Sequence, residues 1–398
     1  MAAAVLLWVA IHRVPWLGPA LAEAARSVVG PGPVAWVEDR AYGLQDRVDR
    51  WRYRDAPPRE YWTAPTEAAS APPLPASADA PAATPSPSAG FFPEPFEPPY
   101  PEVAAAADGI WVPVPDLERR SAPVVIYKTM VHPDRRRSFA VLAVMALDLA
   151  AFELHLAAGT HEPTSYRVLR KDRTGLVRPE HIDELVAAFN GGFRASHGEY
   201  GMMLEGIEYL PPRGIACTLA RYRSGALRIG TWTELAASRQ GMLYYRQTPP
   251  CLVEQGVTHL RLERDEYAKG WGATVSGDTV IRRSAIGLDR EGQVLYYGLG
   301  DGLTAQAIAR GMKAAGAHSA ALLDVNYSYP RFLLYRQPAP GAVPLAVSAI
   351  IPTLEYQRDE YVVRPSRRDF FYLTRGGSKS ATSPEGAGAS TYAANGAR

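Results

Sequence analysis

The chain has 398 residues, room for one large or two ordinary domains, and its 43 basic and 41 acidic residues nearly cancel, leaving a net charge of +2. That balance gives no global pull toward nucleic acid. Two cysteines, Cys217 and Cys251, with no CxxC pair, leave a zinc or iron–sulfur site unsupported. Ala2 to Ile11 is apolar before His12 and Arg13 interrupt, which is shorter than the ~20 residues a membrane helix needs. Ala20-Leu21-Ala22 before Glu23 is like a signal-peptidase site, although no Lys or Arg precedes the apolar run. A signal peptide, the end of an anchor that starts further upstream and an amphipathic helix all stay open for residues 1–29. Export or anchoring is the preferred expectation.

Residues 30–55 are read as a juxtamembrane helical spacer, since Val34 to Tyr53 is mixed in charge and predicts a helix carrying Trp36, Leu44, Val48 and Trp51. Residues 56–105 form a Pro/Ala-rich linker whose composition cannot bury enough apolar area to offset ordering. Phe91, Phe92, Phe96 and Tyr100 near its end are placed to pack onto the folded domain C-terminal to them. Residues 376–398 are Gly, Ser and Ala rich and read as a disordered tail. Residues 106–375 are the folded part, long enough for a substantial core. Strand-like runs recur at Val124–Lys128, Phe139–Leu149, Ile215–Arg221, Met242–Tyr245, Gln293–Tyr297 and Ala320–Leu323. Helical spacing is confined to Glu180–Leu185 and Thr304–Ala315. The expected fold is α+β: a predominantly β single domain, with a few helices packed on a mixed sheet and no regular βαβ alternation.

The stretch that carries most chemistry runs from Ile286 to Phe332. Its strand ends in Gly300-Asp301-Gly302, an amphipathic helix comes next, and Gly316 suits the helix C-terminus. A short apolar strand then delivers Asp324 and Asn326. An acid at the end of a buried strand must be paired, hydrogen-bonded or face a cleft, although Asp and Asn are also ordinary turn residues. A second element, Phe189-Asn190-Gly191-Gly192-Phe193, permits sharp reversal and close approach of a ligand to the backbone. A simple Asn-Gly hairpin turn is its plainer explanation. In the third element, Arg282-Arg283-Ser284, a guanidinium suits a phosphodiester; for Arg282 an exposed basic turn is preferred. The two cysteines would form one disulfide if the chain is exported and stay buried thiols otherwise.

In this order the elements resemble the phosphodiester glycosidase family, over roughly Phe139 to Phe332. The family's Asn-Gly-Gly-Phe resembles Asn190 to Phe193, its Arg-Thr-Ala-Ile-Gly strand resembles Arg283 to Gly287, and its Gly-Leu-Thr helix start resembles Gly302 to Thr304. Arg246-Gln247-Thr248-Pro249-Pro250 is similar to an intervening family segment. The family hallmark Leu-Asp-Gly-Gly-Gly-Ser reads here Leu323-Asp324-Val325-Asn326-Tyr327-Ser328, so the acid is kept and the glycine run is lost. Ser284 for threonine keeps the hydroxyl.

The resemblance implies an extracytoplasmic hydrolase of a sugar phosphodiester or envelope glycopolymer. A non-catalytic glycan-binding or scaffold domain is the alternative. Such cleavage needs a carboxylate and donors for the phosphate. The catalytic candidates are Asp324, with Asn326 beside it, and Glu205 or Asp301 as a second acid. Glu205 reads equally as a turn acid and Asp301 as a helix-start residue. Asn190, Gly191, Gly192, Arg283 and Ser284 are the substrate-binding candidates. His197 could move protons, though a lone loop histidine is more often solvated. No ligand spacing calls for a metal, and no cofactor is expected. The expected partner is a carbohydrate or sugar phosphate, with no nucleic acid. Membrane contact is expected only through the N-terminal segment.

Overall fold

The computed structural model describes residues 31–63, 91–116, 118–119, 122–264, 270–272 and 280–376, with Leu21, Ala25 and Val28. The segment expected to serve in export, most of residues 1–29, lies outside these, as do residues 64–90 of the linker and the tail beyond residue 376. Among the described residues no helix is long and apolar enough to cross a membrane.

The strands in chain order are β1 (Val112–Pro113), β2 (Ile126–Val131), β3 (Leu142–Asp148), β4 (Phe152–Ala157), β5 (Leu185–Asn190), β6 (Met202–Leu204), β7 (Ile207–Leu210), β8 (Cys217–Tyr222) and β9 (Leu227–Thr231). They continue with β10 (Met242–Thr248), β11 (Val253–Glu254), β12 (Val257–Thr258), β13 (Ile281–Leu288), β14 (Val294–Leu303), β15 (Ser319–Val325), β16 (Phe332–Arg336), β17 (Leu345–Ala349) and β18 (Phe370–Arg375). The two longer helices are α1 (Pro31–Arg52) and α2 (Ala305–Ala314). The first sheet has the order β1-β2-β3-β14-β13-β15-β11-β12, the second β7-β6-β10-β8-β9 and the third β17-β16-β5-β18-β4.

The fold is predominantly β with few helices, as expected. Pairing between these strands is antiparallel throughout, where a mixed sheet was expected. Alternation along the central strands explains the layering. Met145, Tyr297, Leu299, Ile286, Ala321 and Leu323 point one way, toward Phe189, Leu219, Phe332 and Phe371 of the other two sheets. Leu142, Val144, Ala285, Leu303 and Leu322 point the other way, under Ile308, Ala309 and Met312 of α2. Because β13 and β15 are covered on both faces, Ala285 to Leu288 and Ala320 to Leu323 are buried at every position, while Arg283 and Ser284 are polar residues buried at the start of β13.

Helix α2 starts where its sequence signals. Thr304 is the N-cap and its hydroxyl accepts from the Ala307 amide at 3.0 Å. Gly316 takes φ +107° after its end, in contact range of the Tyr296 ring. The other expected helix is absent: Pro179–Glu184 is a 3-10 turn, and Leu185 already begins β5. Pro179 fits the opening of such a turn. Gly300-Asp301-Gly302 is not a loop but lies inside β14, where Ile281 pairs with Leu303 and Arg283 with Gly300, so β14 carries a bulge there.

Cys217 and Cys251 form a disulfide joining β8 of the second sheet to the segment before β11 of the first. Phe91 and Phe92 meet Tyr127 edge-on, and Phe96 does the same to Trp111, so the stretch around Phe91 to Phe96 packs onto the folded body.

On the third sheet, His155 of β4 and His181 sit with ring centroids 4.2 Å apart beside Tyr372. Burial, then the charges of His181, Arg221 and Arg178, push His155 down to about 3, and burial lowers His181 too. The unfolded chain takes these protons near the ordinary histidine value of about 6.5. Stability is therefore fully present above that pH and lost as pH falls from there toward 3. Urea unfolding at about pH 7 and about pH 5 should show the loss, at most about 1.4 kcal/mol per pH unit for each group. His155→Gln should flatten it; an unchanged slope in that variant would assign the loss to other groups.

Candidate active site

Where β5, β13 and β15 end together, several sequence candidates meet. Arg283 pairs with Val325 while Ala285 pairs with Leu322, so β15 carries an extra residue between them. Such a bulge breaks the in–out alternation and re-aims a side chain. Asp324 is thereby placed beside the Asn-Gly-Gly loop, its amide donating to the Gly191 carbonyl at 3.2 Å. Asp324 is only 3% exposed. Its Oδ2 accepts from Arg368 Nη1 at 2.6 Å and also from the Asn326 side chain.

Asn326 does two things. Its Oδ1 accepts from the Ser328 and Tyr329 amides at 2.9 and 2.7 Å, while its Nδ2 donates to Asp324. An Asx turn thus stands where the family's glycine run would be. Beneath it, Ser284 Oγ donates to the Asp324 carbonyl at 3.0 Å and accepts from Asn190 Nδ2 at 2.9 Å. Asn190 Oδ1 accepts from the Tyr297 hydroxyl at 2.7 Å, and Nδ2 also reaches the Gly191 carbonyl. Both Asn190 and Ser284 are fully buried. Their side chains hold the floor in place; they are not presented to a ligand.

The glycines have a local reason too. A Cβ on Gly191 would collide with Asp369, and one on Gly192 would lie 2.8 Å from the Arg246 guanidinium carbon. The close approach comes from the protein's own buried ion pair, where the sequence suggested a ligand. Arg246 Nε donates to Asp369 Oδ2 at 2.8 Å, and both side chains are fully buried. The Gly192 amide donates to the same carboxylate oxygen at 2.9 Å. Gly191→Ala should therefore destabilise the protein by about 1–3 kcal/mol, the range for forcing extra volume into a packed interior. Thermal unfolding checks this; an unchanged midpoint would show that Asp369 can yield.

Three candidates fall elsewhere. Arg283 leaves the site because it alternates with Ser284 and points under α2. It is buried, donates to the carbonyls of Leu303 (2.9 Å) and Trp271, and burial pulls its pKa down to about 9. Glu205 sits exposed in the β6–β7 turn at φ +54°, paired with Arg178. Asp301 pairs with Arg282 at 2.6 Å, and Arg282 in turn donates to the Tyr327 carbonyl at 2.8 Å. Arg282 is thus a half-buried clamp on the loop after Asp324, where an exposed turn was preferred. His197 lies in the 3-10 turn Ala195–His197. Among the described residues no group of three His, Cys, Asp or Glu could hold a metal ion.

Arg368 and Asp369 belong to no motif of the sequence, yet they complete the site. They come just before β18, whose Phe370 pairs with Asn190. Arg368 is buried over the Tyr329 ring at 4.4 Å, and its Nε has no hydrogen-bond partner. Burial would lower its pKa, but Asp324 and Tyr329 outweigh that and hold it above the ordinary arginine value. A signal was available: charges directly before the apolar run Phe370 to Leu373 are as anomalous as Asp324 after its own strand.

Asn190, Arg246, Ser284 and Asp324 all fall in one stretch whose relatives are known. Residues 183–324 match the phosphodiester glycosidase family. The chain also resembles the zebrafish N-acetylglucosamine-1-phosphodiester alpha-N-acetylglucosaminidase catalytic domain, auto-inhibited by its pro-peptide. That likeness has 13% identity, 67% coverage of this chain, 87% of the other and a TM-score of 0.39. A hypothetical protein from Synechocystis is similar at 11% identity, 65% coverage of each chain and a TM-score of 0.35. No curated protein matches the sequence. The phosphodiester glycosidase match ends at Asp324, so Arg368 and Asp369 join the site from outside it.

Proposed function

We propose that this protein hydrolyses a sugar phosphodiester outside the cytoplasm, with Asp324 as the working carboxylate. The supporting observation is the buried Asp324–Arg368 pair at the end of the segment that matches the family. Hydrolysis breaks the bond between the anomeric carbon and the phosphate oxygen, and water supplies the replacing hydroxyl. The phosphate is a good leaving group, so charge stabilisation matters more than strong acid assistance. Arg368 takes the phosphate role that the sequence assigns to Arg283, since its Nε lacks a partner and its fork already faces Asp324. An incoming phosphodiester competes for that guanidinium and frees the carboxylate beside the anomeric carbon. Asn326 orients Asp324, while Asn190 and Ser284 position its backbone. The Cys217–Cys251 disulfide supports an oxidising compartment.

Two observations favour a glycan-binding module. Asp324 is nearly inaccessible, and Val325 and Tyr327 replace backbone-flat glycines. Turnover by the purified full chain on a panel of sugar-1-phosphodiesters decides between them. Release of free sugar supports the hydrolase. Binding of the same compounds without release would move the reading to the module.

A further inference from the structure

Helix α1 is docked the wrong way round for an amphipathic helix. Its Val37, Leu44, Val48 and Trp51 recur at spacings of seven, four and three, which makes one stripe. An apolar stripe at that spacing ordinarily faces the core. Here it faces out: exposures are 57% for Val37, 57% for Leu44, 47% for Val48 and 75% for Trp51. The helix is instead held by its opposite, polar side. Asp46 is 5% exposed and takes both Nε and Nη2 of the fully buried Arg137, at 2.7 and 2.9 Å. Tyr42 meets Tyr327 at 6.1 Å, and Tyr53 meets Phe139 at 5.4 Å beyond the helix end. The apolar side is therefore displayed from a fixed position.

The charges around it are sorted. Arg40 and Arg47, seven residues apart, run along one border of the stripe, and Arg52 lies on the other. Glu38, Asp39, Asp46 and Asp49 fall on the remaining half of the helix, together with Arg50, which pairs with Asp46 at 3.2 Å. We propose that α1 lies in the plane of an anionic lipid surface, with its apolar stripe at the acyl boundary and its arginines on the lipid phosphates. A basic-bordered apolar face with a tryptophan fits that interface. A second copy fits poorly, because pairing two stripes would oppose arginine with arginine. The docked helix then fixes how the whole domain sits on the surface. It also sets the loop after Asp324 beside that surface, through the Tyr42–Tyr327 contact. This inference does not depend on the proposed activity.

The test uses the full chain carrying a nitroxide at Val48→Cys, with Ser224→Cys on a remote exposed turn as the control. The native cysteines are bonded to each other and so leave a new thiol selectively reactive. On phosphatidylglycerol vesicles, the label at position 48 should gain collisions with oxygen and lose them with a water-soluble nickel complex; position 224 should not change. Arg47→Gln with Arg52→Gln should weaken vesicle binding about tenfold at low salt. Failure to bind the vesicles, or a label at position 48 that stays in water on bound protein, overturns the proposal. So does a label that becomes shielded without lipid as protein concentration rises, which would assign the stripe to a second copy.

Discussion

Asp324→Asn should lower kcat on a sugar-1-phosphodiester by about a hundred- to ten-thousand-fold, the range for a positioned acid–base group. Asparagine keeps the shape and still accepts from Arg368 and Asn326, but it no longer carries the charge that meets a developing positive sugar ring. Removing one partner of a buried pair outright costs about 3–5 kcal/mol. The retained neutral acceptor should make the stability loss smaller than that, so the variant should still fold. Arg368→Lys separates the roles. It keeps a positive charge but loses the planar fork, so KM for the phosphodiester should rise more than kcat falls. Steady-state kinetics with near-ultraviolet circular dichroism as the folding control reads both. Unchanged kcat in Asp324→Asn would remove Asp324 from the chemistry.

Cys217→Ser combined with Cys251→Ser should cost about 3–4 kcal/mol of unfolding free energy, from the loop-closure entropy of cysteines 34 positions apart. The effect reaches past the loop itself, because the bond ties the second sheet to the first. Both cysteines are buried and their neighbours Leu219, Ile229 and Ala321 belong to the core between the sheets. Urea denaturation of the double variant, or of the reduced protein, reads the loss. A difference under about 1 kcal/mol would show that packing alone holds the sheets together.

The β-rich fold was legible because strand alternation and apolar runs are local signals. The same holds for α2, where spacing, Thr304 and Gly316 agreed. Pairing direction was not legible, since antiparallel order depends on which distant strands meet. The site divides in the same way. Asp324, Asn326, Asn190 and Ser284 stood out through strand ends and loop chemistry, and the structure brings them together. Arg283 and Ser284 were assigned together, yet neighbours on a strand face opposite ways, and only Ser284 reaches the floor. Gly191 and Gly192 announced a close approach without saying that Asp369 and Arg246 make it. Arg368 belongs to a segment with no motif of its own; charges directly before the apolar run from Phe370 were its one sequence signal, and the pairing of β18 with β5 is what brings it to Asp324. The outward stripe of α1 was hidden for another reason: periodicity shows that a face is apolar, not which way it points.

The joins that build the site span long stretches of chain. Asn190 meets Ser284 across 94 positions, Arg246 meets Asp369 across 123, and Asp324 meets Arg368 across 44. None can form by zipping up from a neighbour, so each must await a search that closes a long loop. Chains dominated by such contacts fold in roughly milliseconds to seconds or slower. During that interval Arg246 and Asp369 are solvated charges, and the apolar strands around them are open to other chains. The site should consequently be among the last features to acquire its final geometry, and dilute refolding should recover more working protein than concentrated refolding does.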